Sequence, residues 1–171
     1  SKKNLFFPYP AIYARYYGED WHTGTHSTTR YFSKTSGDSS ELVKRKQEAN
    51  ESNITLFPNK DSKCYIVLHN GFIKTTKTKI SLTINNQSGQ KVKKNITPLK
   101  MGLGETLIIC VDDHIDYKDF LNNKRGMLTV NYQNTGVFPR ILYFHENLDG
   151  KMVLEHSNFG LSKEASNDGF K

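Results

Sequence analysis

The residues best placed to do chemistry lie in one short stretch, Trp21-His-Thr-Gly-Thr-His-Ser-Thr-Thr-Arg30. It combines two imidazoles, a guanidinium and the only tryptophan of the chain. Could His22 and His26 hold one metal ion? A spacing of four works on a helix, where both rings share a face. This segment is rich in Thr, Gly and Ser and is a poor helix. On a strand the two positions share a side but stand roughly 13 Å apart, too far for one ion. No His-x-His pair, zinc-spaced Cys/His cluster or Cys-x-x-Cys is present, so no metal and no cofactor is assigned.

Strand parity would send His26, Thr28 and Arg30 to one side, and His156 to the side of Met152 and Leu154. The dipeptide His-Ser occurs at 26–27 and again at 156–157. Terminal strands of a sandwich often approach one another. The functional expectation is a polar pocket of His26, Arg30 and His156, supported by Glu155 or Ser157. The plainer reading makes each histidine a structural or surface residue. Nine of the twenty aromatic residues fall within the first 32 positions. Tyr13, Tyr16, Tyr17 and Trp21 join the histidines as candidate ligand-binding residues, because each offers an apolar face with a polar tip. Core or cover packing is the competing role for them.

Nucleophilic and phosphate-binding motifs are missing. There is no Gly-x-Ser-x-Gly, no His-Glu-x-x-His and no Gly-rich phosphate loop. Asp112, Asp113, Asp116 and Asp119 surround His114, but not at calcium-loop spacing; helix capping and a solvated turn account for them. Glu146 and Glu155 flank a hairpin and could work as paired carboxylates, as could such pairs in any β-protein.

The elements that must position these residues are strands. Ile80, Leu82 and Ile84 alternate with Lys79, Ser81 and Thr83, the signature of a half-buried strand. Val92, Lys94 and Ile96 follow after the turn Asn85–Gly89, and Pro98 is expected to end that run. A second hairpin is expected to join Met127–Gln133 to Val137–His145 through Asn134–Gly136. A third joins Ile141–His145 to Met152–His156 through Asn147–Gly150. Further strands are expected at Ala11–Tyr17, Thr25–Ser33, Tyr65–Asn70, Phe72–Thr76 and Thr106–Val111. Helical signal is thin. Ser39–Ala49 holds helix formers but cannot bury a face, and Asp116–Leu121 supports a turn or two. The stretch 33–62 is polar and reads as a long, partly mobile excursion. These features predict one all-β domain over 1–171: an antiparallel β-sandwich of jelly-roll or immunoglobulin-like type. Its only tryptophan precedes both cysteines, unlike a true immunoglobulin domain. Cys64 and Cys110 sit in apolar runs and read as buried free thiols, with an inter-sheet disulfide as the alternative.

At 171 residues, the chain can bury a core without staples. No run approaches 18 apolar residues, so no transmembrane helix is expected. The first residue is Ser and no leader is visible, which suggests a trimmed or processed piece; the compartment stays open. The net charge is +7. Between Lys63 and Gly104 there are eight lysines and no acidic residue, so the excess is one local patch. Lys77, Lys79, Lys91 and Lys93 would share the face opposite the apolar hairpin positions. That face is a solvated surface or an anion-binding one. Only Tyr65 and Phe72 are aromatic in this segment, so the stacking series of a single-strand nucleic-acid binder is missing and nucleic acid is not the expected partner. Three functional classes follow. The leading one is a non-catalytic module binding a glycan or a protein in a larger assembly. The others are an enzyme with a His-lined site, with or without a metal, and a structural subunit of a surface or virion assembly.

Overall fold

A computed structural model describes residues 11–28, 46–69, 75–102, 105–135, 141–156 and 158–161. The strands are β1 (Ala11–Tyr17), β2 (His22–Thr28), β3 (Lys46–Leu56), β4 (Ser62–His69), β5 (Thr75–Asn85) and β6 (Lys91–Met101). They are followed by β7 (Thr106–Cys110), the short helix α1 (Tyr117–Leu121), β8 (Gly126–Thr135), β9 (Leu142–Asn147), β10 (Met152–His156) and β11 (Asn158–Leu161). One sheet runs β11-β3-β8-β5-β6, the second runs β10-β9-β4-β7, and β1 pairs with β2. Every pairing is antiparallel. The two larger sheets pack together as an all-β sandwich.

Parity builds the core. In β5, Ile80, Leu82 and Ile84 point inward and oppose Tyr132, Val130 and Leu128 of β8. Leu128 in turn opposes Ile54 of β3. From the other sheet come Ile66, opposite both Ile109 of β7 and Tyr143 of β9. All of these side chains belong to one buried cluster, so the two inner faces form a single apolar layer.

The sheets differ on their outer faces. The five-stranded sheet turns Lys79, Lys91 and Lys93 outward, all exposed, with half-buried Ser81 and Thr83 between them. Lys77 lies in β5, but its side chain is outside the described residues. The four-stranded sheet carries apolar side chains on both faces, with Lys63, Thr106 and Glu146 also on the outer one. Tyr65 and Val67 of β4 are half-buried on the side away from the core, and Tyr65 stacks on Phe144 with ring centroids 4.4 Å apart. Burial pushes the Tyr65 phenol up to about 12, and a hydrogen bond with Glu146 adds to the effect. Ile108, across from Val67, is 58% exposed.

Three expectations need correction. β3 occupies Lys46–Leu56, inside the stretch read as a polar excursion and overlapping the run of helix formers at Ser39–Ala49. It lies between β11 and β8, and the fully buried Ile54 and Leu56 anchor it. β6 runs past Pro98 to Met101. It is an edge strand, where proline's missing N–H need not break a ladder. β8 and β9 do not form a hairpin, because they belong to different sheets. Both carry core residues, and each delivers them from its own side of the sandwich. Residues 136–140, which link them, lie outside the described residues, as do 29–45 and 70–74 of the expected strands. The expected β9–β10 hairpin forms, closing at Gly150 with φ of 78°.

The aspartate cluster has a job the sequence did not disclose. Asp112 Oδ2 accepts from the Cys64 backbone N–H at 2.9 Å, and Lys118 Nζ lies 2.9 Å from Asp112 Oδ1. Lys118 also donates to the Ser62 carbonyl at 2.6 Å. One carboxylate thus ties β4, the end of β7 and α1 together. Burial raises the neighbouring Tyr117 phenol, and the charge on Asp112 adds to it. Asp116, at the helix start, makes no side-chain capping bond. Cys64 and Cys110 are both free. Cys110 opposes the outward Tyr65, whereas Cys64 is fully buried in the core, so the thiols sit on opposite faces of the sheet and do not bridge. Asp112→Ala removes the acceptor of the Cys64 N–H and the counter-charge of Lys118, so it is expected to cost about 2–4 kcal/mol in urea unfolding. Asp112→Asn keeps one acceptor and is expected to lose less. Equal stability of the Ala variant and the parent contradicts the assignment.

Candidate functional site

The candidate residues of the N-terminal segment form a β-hairpin. The tyrosines of β1 and the threonines of β2 favour strands, and Gly18–Trp21 closes the connection. The Gly18 N–H donates to the Trp21 carbonyl at 2.8 Å. The indole lies close against the Gly18 backbone, where a Cβ would overlap it. Glycine is therefore required here for a close approach. Trp21 is half-buried in this position.

Register assigns the faces. Tyr17 opposes His22, Arg15 opposes Gly24, and Tyr13 opposes His26. These positions share one face. On it, Tyr17 is 68% exposed and His22 and Arg15 are exposed. The side chains of Tyr13 and His26 lie outside the described residues. The other face carries Tyr16, Thr23 and Thr25. Thr25 is buried, and its hydroxyl has no hydrogen-bond partner among the described residues.

The Thr23 face is fastened to the four-stranded sheet. Thr23 Oγ1 accepts from the Leu154 backbone N–H at 3.1 Å. Three residues earlier on each segment, Lys151 Nζ donates to Asp20 Oδ2 at 2.7 Å. Both contacts have the same sequence offset, so β2 and β10 run side by side in the same direction. The Lys151 hydrogen bond, followed by its charge, holds the Asp20 carboxyl below the usual carboxylate range; the same contact raises Lys151. No sequence pattern announced either contact, since each joins residues at opposite ends of the chain.

The remaining candidates divide. His22 and His26 lie on one continuous strand without a loop at Gly24, which removes the geometry a shared ion would need. Among the described residues no three His, Cys, Asp or Glu side chains cluster to hold a metal. His156 occupies β10 opposite Leu142, with its side chain outside the described residues. Arg30 and Ser157 lie wholly outside them. Glu146 opposes Met152 whereas Glu155 opposes Tyr143, so the two glutamate positions fall on opposite faces and make no pair. No protein-family model, curated protein or solved structure matches the chain.

A Gly18→Ala change is expected to displace the indole from its backbone seat. Because Trp21 is the only tryptophan, its emission reports the event directly: a red shift is expected, and an unchanged spectrum would show that the ring does not rest there.

Proposed function

We propose that the chain is a non-catalytic binding module whose ligand, a glycan or a protein partner, meets the β1–β2 hairpin. One observation carries this reading. Tyr17 and His22 stand exposed on one face of a hairpin whose other face is held against β10. The fold has places to bury tyrosine, as Tyr117, Tyr132 and Tyr143 demonstrate. Tyr17 stays in water with its ring available to stack on a sugar or to fill a pocket in a partner. The fold by itself does not choose the ligand.

An array of neutral and acidic glycans, read with the parent and with Tyr17→Ala, tests the glycan form. The expected result is binding to at least one class, weakened about tenfold by the substitution. Absence of any hit removes the glycan form, and equal binding by both proteins removes the hairpin as the site.

A second reading, a structural subunit of an assembly, is favoured by the apolar outer face of the four-stranded sheet. There Ile108 is exposed on the edge strand β7. Apolar sheet faces of this kind mark contact surfaces. Solution mass by light scattering decides it. A stable trimer or larger ring supports the subunit reading, and a monomer at all concentrations counts against it.

A further inference from the structure

A cleft of about 290 Å³ opens where the β5–β6 turn meets the end of α1. Its first wall is a braced turn. Asn86 Oδ1 accepts from the N–H groups of Ser88 and Gln90 at 3.0 and 2.9 Å, and Asn86 Nδ2 donates to Gln90 Oε1 at 2.7 Å. Gly89 supplies the positive φ of 79° that the turn demands. With its oxygen engaged, the Gln90 amide keeps its nitrogen free for a ligand; it has no partner among the described residues. The facing wall holds Phe120, Asn122 and Lys124. Asn122 caps α1 in the left-handed conformation, φ 47°, which Asn tolerates better than most residues.

The chemistry of these walls is specific. Planar amides present donors and acceptors together, which suits hydroxyl groups. Phe120 adds a partly exposed apolar surface and Lys124 a positive charge. None of the described residues lining the cleft is acidic. Further positive charge lies around the turn: Lys91 follows Gln90 directly and, like Lys93 one strand period on, faces the outer side of the sheet, away from α1. Among the described residues, Lys91, Lys93 and Lys124 form no ion pair. At this volume the cleft sits at the lower end of small-molecule sites, sized for a single ring and not for a folded partner. A single aromatic side chain cannot supply the stacking series of a nucleic-acid strand.

We propose that this cleft and the adjoining lysines bind an acidic oligosaccharide. A sugar ring sits in the cleft against Phe120, hydrogen-bonded by Gln90 and Asn122. Its carboxylate or sulfate groups meet Lys124, and the following units wrap round the β5–β6 turn to reach Lys91 and Lys93 on the outer face. The cleft lies between the β5–β6 turn and α1 and includes no residue of the β1–β2 hairpin, so Tyr17→Ala leaves it intact.

Isothermal titration with three probes of matched length tests the proposal: a neutral glucan, a sulfated or uronate oligosaccharide, and single-stranded DNA. The acidic saccharide is expected to bind, with affinity falling as salt rises. The neutral glucan and the DNA are expected to bind at least tenfold more weakly. Lys124→Ala, an exposed substitution, is expected to lower the acidic saccharide's affinity about tenfold, with an unchanged circular dichroism spectrum confirming the fold. Lys91→Ala combined with Lys93→Ala is expected to flatten the salt dependence. DNA binding as tight as the saccharide would mean a general polyanion surface and overturn the proposal. Equal binding of the neutral glucan, an unaffected Lys124→Ala variant, or no saccharide binding at low salt would also overturn it.

Discussion

Each of the two large sheets must bury one face, and the only layer available to cover it is the other sheet. Ile80, Leu82 and Ile84 from one side and Cys64, Ile66 and Leu68 from the other meet this demand together, and all six are 2% exposed or less. A one-residue slip in either sheet would turn these side chains to water and bring their polar neighbours into the core. This parity lock decides where Lys79, Lys91 and Lys93 must face, and it fixes the two sheet edges on which the remaining parts are hung. At one edge, Lys94 falls at a core-side position of β6, opposite Leu82, yet remains exposed. A lysine so placed discourages a further strand from adding there.

The other edge is used differently. β10 ends the four-stranded sheet, and its Leu154 N–H goes to a threonine hydroxyl of the N-terminal hairpin. The hairpin therefore covers an edge that would otherwise offer an unpaired amide. This arrangement also settles which hairpin face meets water. Thr23 and Thr25 turn toward the sandwich; Tyr17 and His22 turn away. The division between buried and displayed aromatic residues follows from that anchoring. Tyr132 and Tyr143 fill the core, Tyr65 and Phe144 stack on the outer sheet surface, and Tyr17 is left exposed.

Much of the fold was legible because period-2 alternation is a strong signal in β5 and β6, and because Asn-Gly turn chemistry marks the β5–β6 and β9–β10 connections. The same signal failed at β3, where Lys46–Ser52 is polar on both faces and only Ile54 and Leu56 speak for burial. It failed again between β8 and β9. A turn signature says that the chain reverses but not whether it crosses to the other sheet. Of the site, Tyr17 and His22 could be named from residue type and proximity in the chain. Their anchoring could not, because Asp20–Lys151 and Thr23–Leu154 join residues 131 positions apart. The Asp112 contacts were hidden for a similar reason. A carboxylate in a turn gives no sign that a backbone N–H 48 residues away will need it.

The hairpin is held to the sandwich edge through β10, with Tyr17 and His22 outward. Amide hydrogen exchange at Leu154 tests this most directly. The bond to Thr23 predicts slow exchange at Leu154 in the parent protein, and faster exchange there in Thr23→Val while the amides of Leu82 and Ile66 keep their protection. Free exchange at Leu154 in the parent protein would contradict the account.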